Sequence, residues 1–276
     1  MAKLRVALLQ LRSGIEPRAN RAIVAELLRE AAAAGARLVL TPEMTGRLDR
    51  DRLRLLGALE HEDADAETRA WGRLAREHAL WLLLGSTPVW AGAGKLFNRS
   101  FLFNPDGRVA ARYDKIHLFD VQLGGGETYR ESEAVQPGAR AVTAEVAGGA
   151  KLGLSICYDV RFAPLYSALA QAGAELIAVP SAFTRPTGEA HWEVLLRARA
   201  IETGAFLLAP AQGGTHEDGR ATWGRSLIAG PWGEVRAKLD HDEPGVLVAD
   251  LDLAEVAAAR AKVPAWRGAR PFEGPE

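Results

Sequence analysis

In the first quarter of the chain, the pattern of apolar positions predicts a strand, a helix and a second strand. Residues 4–9 form a short apolar run, which predicts a strand. A helix is predicted next, because apolar side chains then recur at helical spacing: Ile23, Val24, Leu27, Leu28 and Ala31. Gly35 follows as a C-cap, and residues 36–40 form the next apolar run. This order predicts a βαβ unit whose second strand ends just before Glu43.

The same mixture of elements continues along the rest of the chain. Helices are predicted near 68–77, 164–172, 192–200 and 254–261, and strands at 81–84, 141–146, 152–156, 176–179, 206–209, 226–229 and 246–249. Two further runs, 96–103 and 109–113, flank an Asn-Pro-Asp-Gly turn and predict a hairpin. Residues 116–140 lack clear periodicity and include the glycines at 124–126, which predicts a long ordered loop over the active face.

No linker, repeat or charged block divides this pattern. We therefore expect one α/β domain over residues 1–263 and a Pro/Gly-rich extended arm over residues 264–276. The 34 basic and 35 acidic residues nearly cancel, so no global field favours nucleic acid. No apolar run approaches the roughly 20 residues that span a bilayer, and the N-terminal run is too short for a signal peptide. We expect a cytoplasmic protein with a small-molecule substrate, without nucleic-acid or membrane partners.

Cys157 is the only cysteine, which excludes an intrachain disulfide and a multi-cysteine zinc site. It ends the apolar run 152–156 and precedes a helix predicted from Pro164. A thiol on such a strand-to-helix turn is exposed beside backbone N–H groups, and the helix N-terminus favours its thiolate form. The alternative is an inert buried cysteine, which is common for this residue type.

Neither a metal nor a cofactor is predicted. The six histidines are scattered without a metal-binding spacing. Ala93-Gly94-Lys95 resembles the end of a phosphate loop, but the upstream glycine is missing and Leu96 replaces the required Ser or Thr. The glycines at 124–126 do not open a helix after a strand, as a dinucleotide site requires. Catalysis is therefore expected to depend on side chains alone.

A nucleophilic thiol needs a base, and no histidine lies at a predicted strand end. The strand ends offer two other charged groups instead. Glu43 follows the second strand, and Lys115 follows the hairpin. Taken singly, Glu43 is equally compatible with a charge at a helix N-terminus, and Lys115 with an exposed surface lysine.

In the order Glu43, Lys115, Cys157, the three groups and their neighbours resemble the nitrilase superfamily. The matching stretches are Thr41-Pro42-Glu43, Tyr113-Asp114-Lys115-Ile116-His117-Leu118 and Gly153-Leu154-Ser155-Ile156-Cys157-Tyr158-Asp159-Val160-Arg161-Phe162. The resemblance covers nearly the whole chain and implies a four-layer αββα sandwich that forms homodimers or larger homo-oligomers across the helix after the cysteine. It also implies that Cys157 is the nucleophile, Glu43 the general acid/base and Lys115 the oxyanion stabiliser.

The resemblance implies a second acidic residue in the loop after the lysine. Glu131 is the match we select, and Glu127 is the nearby alternative. Both are also compatible with solvated loop charges. The backbone N–H of Tyr158 is expected to bind the oxyanion together with Lys115.

Three further residues are assigned to substrate binding: Arg161, Phe183 and Thr184. Arg161 lies four positions beyond the cysteine, where it is expected to bind a substrate carboxylate with two parallel hydrogen bonds. Its alternative is a structural salt bridge with Asp159 or another acid.

Cys157-Tyr158-Asp159 differs from the Cys-Trp-Glu of true nitrilases and resembles the amidase branches. Residues 116–120 resemble omega-amidases, whereas residues 180–183 and 191–202 resemble deaminated glutathione amidases. Two positions depart from the usual pattern: Arg225 stands where histidine is usual, and Gly230 where aspartate is usual.

The predicted activity is hydrolysis of a small ω-carboxamide through a thioester, with release of ammonia. Deaminated glutathione is the preferred substrate and α-ketoglutaramate the alternative. Hydrolysis of a carbamoyl amine or a nitrile, and a catalytically idle binding subunit, remain as other possibilities.

Overall fold

Two six-stranded sheets form the centre of the computed structural model, which describes residues 3–60, 63–123 and 128–274. The first sheet contains, in spatial order, β16 (Gly245–Leu251), β1 (Leu4–Gln10), β2 (Leu38–Leu40), β3 (Trp81–Gly92), β4 (Lys95–Phe103) and β5 (Val109–Asp114). The second contains β15 (Val235–Lys238), β14 (Leu227–Ala229), β11 (Phe206–Ala209), β10 (Leu176–Ala178), β9 (Lys151–Leu154) and β8 (Val142–Glu145). Each sheet contains three neighbouring parallel strands. They are β1, β2 and β3 in the first sheet and β9, β10 and β11 in the second.

The described ranges contain six α-helices, which lie outside the two sheets or connect to segments that carry the site. They are α1 (Pro17–Ala33), α2 (Arg52–Glu60), α3 (Ala64–Glu77), α4 (Ala163–Gln171), α5 (Arg185–Thr203) and α6 (Ala254–Lys262). Two short ribbons add β6 (Asp120–Gln122) with β7 (Thr128–Arg130), and β12 (Gly213–Thr215) with β13 (Ala221–Trp223). Among these helices, none is both long enough and apolar enough to span a bilayer.

Both faces of the first sheet are buried. Successive side chains of a strand point to opposite sides, so each strand contributes to a core on either side of the sheet. On β1, Val6 and Leu8 pack against the second sheet. Ala7 and Leu9 point the other way, into a core shared with α1 and α3. The second sheet packs against α4 and α5 in the same manner. The layers are therefore helix, sheet, sheet, helix, which confirms the predicted αββα sandwich.

The sequence pattern predicted the hairpin and most central strands, but it missed several elements. β4 and β5 form the predicted hairpin, whereas β3 continues well past the predicted end at residue 84. Helix α2 and the β12–β13 ribbon were not predicted. The segment 116–140 was expected to be an ordered loop, and its described part contains β6, β7 and a 3₁₀ turn at Glu131–Glu133. The glycines at 124–126 lie outside the described residues.

The C-terminal region starts with a 3₁₀ turn, Pro264–Arg267, which lies against α4, α5 and α6. The guanidinium group of Arg260 lies 4.7 Å from the ring centre of Trp266. The domain boundary at residue 263 and the extended arm beyond it stay predictions.

The carboxyl ends of β2 and β10 are brought together by a close backbone approach. Gly85 on β3 lies so near the carbonyl oxygen of Thr41 that a Cβ atom would overlap it, and the side chain of Pro180 lies on the same side. Only glycine allows this approach. As a result, the segment that begins at Thr41 reaches the second sheet, and Glu43 lies between the two sheets' ends.

Candidate active site

Glu43 is buried just beyond β2, where both its backbone and its carboxylate are fixed. Gln212 donates from Nε2 to the carbonyl oxygen of Glu43 at 3.0 Å. The backbone N–H of Ala182, beyond β10, donates to Glu43 Oε2 at 2.9 Å. The carboxylate is thus held from the second sheet although its backbone continues from the first.

Lys115 is only 2% exposed, so it is not the surface lysine that the sequence left as an alternative. Its Nζ lies 2.8 Å from Glu43 Oε1 and 2.8 Å from Glu131 Oε2. Burial by itself lowers the pKa of Lys115, but Glu131, Glu43 and Cys157 together raise it well above the ordinary value. The ammonium group therefore stays charged throughout the neutral range.

Glu131, selected from the sequence as the second acid, lies at the start of a 3₁₀ turn and contacts Lys115 with both carboxylate oxygens. The backbone N–H of Phe119 donates to Glu131 Oε2 at 2.6 Å. The alternative, Glu127, lies outside the described residues. Glu131 and Glu43 thus share one lysine ammonium between them.

Cys157 follows β9 at the start of a 3₁₀ turn and has a φ of 48°, in the left-handed region. Its backbone N–H donates to the carbonyl oxygen of Pro180 at 2.9 Å. Cys157 is 7% exposed, and the Glu43 carboxylate lies near enough to raise the pKa of its thiol. The structure therefore brings Cys157, Glu43, Lys115 and Glu131 into one cluster.

The expectation that the turn favours the thiolate form of Cys157 is wrong for the unliganded site. Burial and then the carboxylate of Glu43 raise the pKa of the thiol well above its ordinary value, while Lys115 opposes the shift. Helix α4 begins only at Ala163, so Cys157 does not lie in its first turn. The thiol keeps its proton, and the adjacent carboxylate is placed to accept it.

Asp159 ties this turn to the segment that carries Lys115. Its carboxylate accepts hydrogen bonds from Tyr113 Oη at 2.6 Å and from the backbone N–H of Ile156 at 2.9 Å. The backbone N–H of His117 and its ring Nδ1 approach the other oxygen at 3.0 and 2.7 Å. Burial, and then the Asp159 charge, raise the pKa of Tyr113.

Asn98 is a site residue that the sequence analysis missed. Its side chain on β4 is buried, and Nδ2 donates to Glu43 Oε1 at 2.9 Å and to Glu131 Oε1 at 3.4 Å. The signal in the sequence is weak. Asn98 and Ser100 are polar residues on either side of Arg99 in the run 96–103, and their alternate positions place both on the same buried face.

The cluster lies in a cavity of about 1030 Å³, large enough for a substrate well beyond a simple amide. The remaining predicted substrate-binding residues, Tyr158, Arg161, Phe183 and Thr184, all line it. Five further arginines line the same cavity: Arg50, Arg52, Arg130, Arg185 and Arg220. Three of them are paired with carboxylates: Arg52 with Glu133, Arg185 with Asp242 and Arg220 with Asp218.

Arg161 does not pair with Asp159, so that alternative is wrong. The carboxylate of Asp159 is occupied by other donors, and within the described ranges Arg161 has no acidic partner. Its guanidinium group lies 3.2 Å from the ring Nδ1 of His191 and over the rings of Tyr158 and Phe183, at 5.7 and 5.6 Å from their centres. The aromatic contacts orient the guanidinium, and most of its N–H groups have no partner among the residues that the structure describes.

The two departures from the family pattern have local packing explanations. Arg225 has a φ of 59°, lies over the ring of Trp223 at 3.9 Å and donates to its carbonyl oxygen. A Cβ atom at Gly230 would overlap the side chain of Glu234, so an aspartate could not occupy this position without moving it. Neither residue lines the cavity.

A thiol, a carboxylate and an ammonium group converge in one buried cavity, an arrangement of the kind used for nucleophilic attack on a carbonyl carbon. A model of the carbon-nitrogen hydrolase family matches residues 5–261. The chain therefore belongs to the carbon-nitrogen hydrolase family. It is an amide-hydrolysing enzyme that acts on carbon-nitrogen bonds other than peptide bonds.

Among curated relatives, the human deaminated glutathione amidase is 40% identical over 270 residues, covering 96% of this chain and 82% of that protein. The human omega-amidase NIT2 is 34% identical over 270 residues, covering 98% of this chain and 96% of that protein.

Solved structures of the superfamily have the same fold. The NitFhit protein of C. elegans superposes with a TM-score of 0.89 at 32% identity, and the match covers 98% of this chain but 66% of that one. A mutant of the amidase from Nesterenkonia sp. AN1 superposes with a TM-score of 0.80 at 30% identity, covering 95% and 96% of the two chains. That structure shows covalent addition of the acetamide moiety of fluoroacetamide at the active site cysteine.

Proposed function

We propose that the protein hydrolyses deaminated glutathione through a thioester on Cys157. The observation that carries this proposal is the buried cluster in which the Glu43 carboxylate contacts the Lys115 ammonium at 2.8 Å and lies near enough to the Cys157 thiol to raise its pKa. Nucleophile, base and oxyanion donor are thereby adjacent. The relative with the same named activity supports the choice of substrate.

In the first half-reaction, Cys157 Sγ attacks the amide carbonyl carbon while its proton passes to the Glu43 carboxylate. The carbonyl oxygen becomes an oxyanion, which the Lys115 ammonium and the backbone N–H of Tyr158 stabilise. The protonated Glu43 then gives the proton to the leaving nitrogen as the C–N bond breaks. The product of this half-reaction is a thioester and a free amine.

In the second half-reaction, Glu43 removes a proton from a water molecule that attacks the thioester carbonyl. The collapse of the second oxyanion releases the carboxylic acid and returns the proton to Cys157. Glu131 does not take part in proton transfer in this scheme. It holds Lys115 in place through two hydrogen bonds of 3.0 and 2.8 Å.

Both favoured substrates contain the same acyl group and differ only in the leaving nitrogen. Deaminated glutathione and α-ketoglutaramate each carry an α-keto carboxylate at one end and the scissile amide at the other. Ammonia leaves from α-ketoglutaramate, whereas the amine of cysteinylglycine leaves from deaminated glutathione, so the release of ammonia expected from the sequence applies to α-ketoglutaramate alone. We assign the α-keto carboxylate to Arg161, and Phe183 and Thr184 to the walls of the same pocket.

The size and charge of the cavity favour the larger substrate. The cysteinylglycine part gives deaminated glutathione a second carboxylate. Arginines other than Arg161 line the cavity, including Arg50, which has no bonded partner among the described residues. Ammonia would use none of these groups. The preference for deaminated glutathione over α-ketoglutaramate follows from this difference.

The experiment is a comparison of four substrates with purified enzyme: deaminated glutathione, α-ketoglutaramate, a carbamoyl amine and an aliphatic nitrile. For the two keto-acid amides, release of α-ketoglutarate is the common readout. We expect the highest kcat/KM on deaminated glutathione and no turnover by Cys157→Ala. A preference for the carbamoyl amine or the nitrile would overturn the substrate, and no turnover of any amide would support an idle binding subunit.

We further propose a cytoplasmic homodimer, as the sequence resemblance implies. An exposed apolar strip on α5 supports the dimer: Val194 and Ile201 lie seven residues apart on one helix face and are 68% and 56% exposed. Trp232, 60% exposed, lies in the turn whose Gly233 contacts Ile201. Sedimentation of the wild type and of Ile201→Glu tests this, with a dimer expected for the first and a monomer for the second.

A further inference from the structure

Asn98 is the buried polar residue of the cavity to which the reaction scheme gives no role. It is 2% exposed and donates to both carboxylates of the site. No group in the described part of the chain donates to its Oδ1, which is buried as well. A buried acceptor without a donor is unfavourable. Turning the amide around would be worse, because Oδ1 would then face the oxygens of Glu43 and Glu131.

The site contains more negative than positive charge. Glu43 and Glu131 share the single ammonium group of Lys115, so one negative charge is in excess before the thiol ionises. Neutral N–H groups offset this excess. The backbone supplies Ala182 N–H to Glu43 and Phe119 N–H to Glu131, and Asn98 is the neutral side chain among the described residues that donates to both.

The two oxygens of Glu43 have different surroundings. Oε1 accepts from Asn98 Nδ2 at 2.9 Å and from Lys115 Nζ at 2.8 Å. Oε2 accepts from the backbone N–H of Ala182 at 2.9 Å. A carboxylate oxygen has about two lone-pair directions. Both directions of Oε1 are therefore occupied, whereas Oε2 keeps one for a further proton donor.

We propose that Asn98 is a positioning residue that directs the proton of the Cys157 thiol to Oε2 of Glu43. By filling the second lone-pair direction of Oε1, its amide prevents the carboxylate from rotating and keeps Oε2 toward the thiol. The proton passes from Sγ to Oε2 as the bond from Sγ to the carbonyl carbon forms. This inference rests on the roles proposed above for Glu43 and Cys157.

The test uses three substitutions at one position. Asn98→Ala removes both N–H groups, Asn98→Ser keeps one hydroxyl proton for one carboxylate at a time, and Asn98→Asp keeps the size of the side chain but adds a third carboxylate. Ser100→Ala is the matched control, because Ser100 lies two residues along the same buried face of β4 and donates to the carbonyl oxygen of Gly85 instead. Thermal unfolding shows whether each variant is folded.

We expect kcat to decrease in the order Asn, Ser, Ala, Asp, with about a tenfold to hundredfold loss for Asn98→Ala and little change in KM. The acidic limb of the kcat/KM profile should move to higher pH in Asn98→Ala, because the donor that favours the ionised carboxylate is gone. Ser100→Ala should retain the wild-type limb. A folded Asn98→Asp that is more active than Asn98→Ala would overturn the proposal, since that order is expected if Asn98 only fills space.

A second readout does not depend on the substrate. The rate of Cys157 alkylation by iodoacetamide reports proton transfer from the thiol, so it should fall in the same order as kcat. If wild type turns over none of the tested amides but the alkylation rates keep this order, the proposed function fails and the inference on Asn98 stands. Equal alkylation rates in wild type and folded Asn98→Ala would overturn the inference alone.

Discussion

The hydroxyl group of Tyr113 donates a hydrogen bond of 2.6 Å to Asp159 Oδ2, and this bond joins the strand before Lys115 to the turn that begins at Cys157. The same carboxylate fixes the backbone N–H groups of Ile156 and His117, one on each of the two segments. The distance between Cys157 and Lys115 therefore depends on a buried acid that is remote in sequence from Lys115.

Removing the Tyr113 hydroxyl should break this hydrogen bond without leaving a large cavity in the core. Because hydrogen bonds to charged groups contribute about 1.5 to 3 kcal/mol, we expect Tyr113→Phe to lower the free energy of unfolding by about that amount. The value of kcat should also fall, because Lys115 and Cys157 are less firmly aligned. Urea unfolding and steady-state kinetics measure the two effects.

Tyr166→Phe is the matched control for this prediction. Its hydroxyl group lies 2.7 Å from the neutral Ser155 Oγ in the same core, and it is not hydrogen-bonded to Asp159 or Lys115. We expect a smaller loss of stability, about 0.5 to 1.5 kcal/mol, and an unchanged kcat. Equal losses of kcat in both variants would show that the Tyr113 bond has no special part in alignment.

Lys115→Met should lower kcat by about a hundredfold or more, which is the effect of removing one preorganised oxyanion donor. Substrate binding should persist, because the ground-state carbonyl needs the ammonium less than the oxyanion does. Lys238→Met, on the exposed β15, is the control. A Lys115→Met variant with normal kcat and a raised KM would mean that the lysine binds only ground-state charge.

Arg161→Gln and Arg161→Lys test the assignment of the α-keto carboxylate. Loss of the bidentate contact should lower kcat/KM by roughly tenfold to a hundredfold for deaminated glutathione and α-ketoglutaramate. A neutral aliphatic amide, which lacks the carboxylate, should lose much less. If all three substrates decline equally, Arg161 has a structural part through Tyr158, Phe183 and His191, and the carboxylate binds elsewhere.

The raised pKa of the Cys157 thiol predicts a loss of stability in alkali. The folded protein keeps this proton at a pH where the unfolded chain, whose thiol has a pKa near 8.5, has lost it. The stabilisation is fully present below that unfolded pKa and decreases by about 1.4 kcal/mol per pH unit above it, until the folded thiol ionises. Melting temperatures between pH 7 and 10 should therefore decline more steeply in wild type than in Cys157→Ser. Parallel declines would contradict the raised pKa.

The strands and helices of the αββα layers could be predicted from the sequence. Strands buried on both faces appear as continuous apolar runs, and the helices show apolar residues at helical spacing. The sequence was also sufficient for the set of Glu43, Lys115, Glu131 and Cys157, which the structure brings together. Their catalytic roles stay predictions. The elements it missed are short or lack an apolar period: the β12–β13 ribbon begins with two glycines, and α2 has leucines on more than one face.

The errors at the site have a common physical cause. The thiolate expectation failed because the spacing around Cys157 does not show that the carboxylate of Glu43, more than a hundred residues earlier, lies beside the sulfur. Asn98 was missed for the same reason, since its two partners are distant in sequence. The pairing of Arg161 with Asp159 was wrong because Tyr113 and His117 already occupy that carboxylate. Each of these outcomes depends on contacts between remote segments.

The thioester on Cys157 is the central claim, and the mass of the peptide that contains this residue tests it most directly. Wild-type enzyme is mixed with deaminated glutathione or with α-ketoglutaramate, stopped with acid during turnover, digested and analysed by mass spectrometry. The account predicts the same α-ketoglutaryl mass increase on Cys157 from both substrates, because they share one acyl group, and none in Cys157→Ala. Turnover by wild type with an unmodified Cys157 peptide at every time point, or equal turnover by Cys157→Ala, would contradict it.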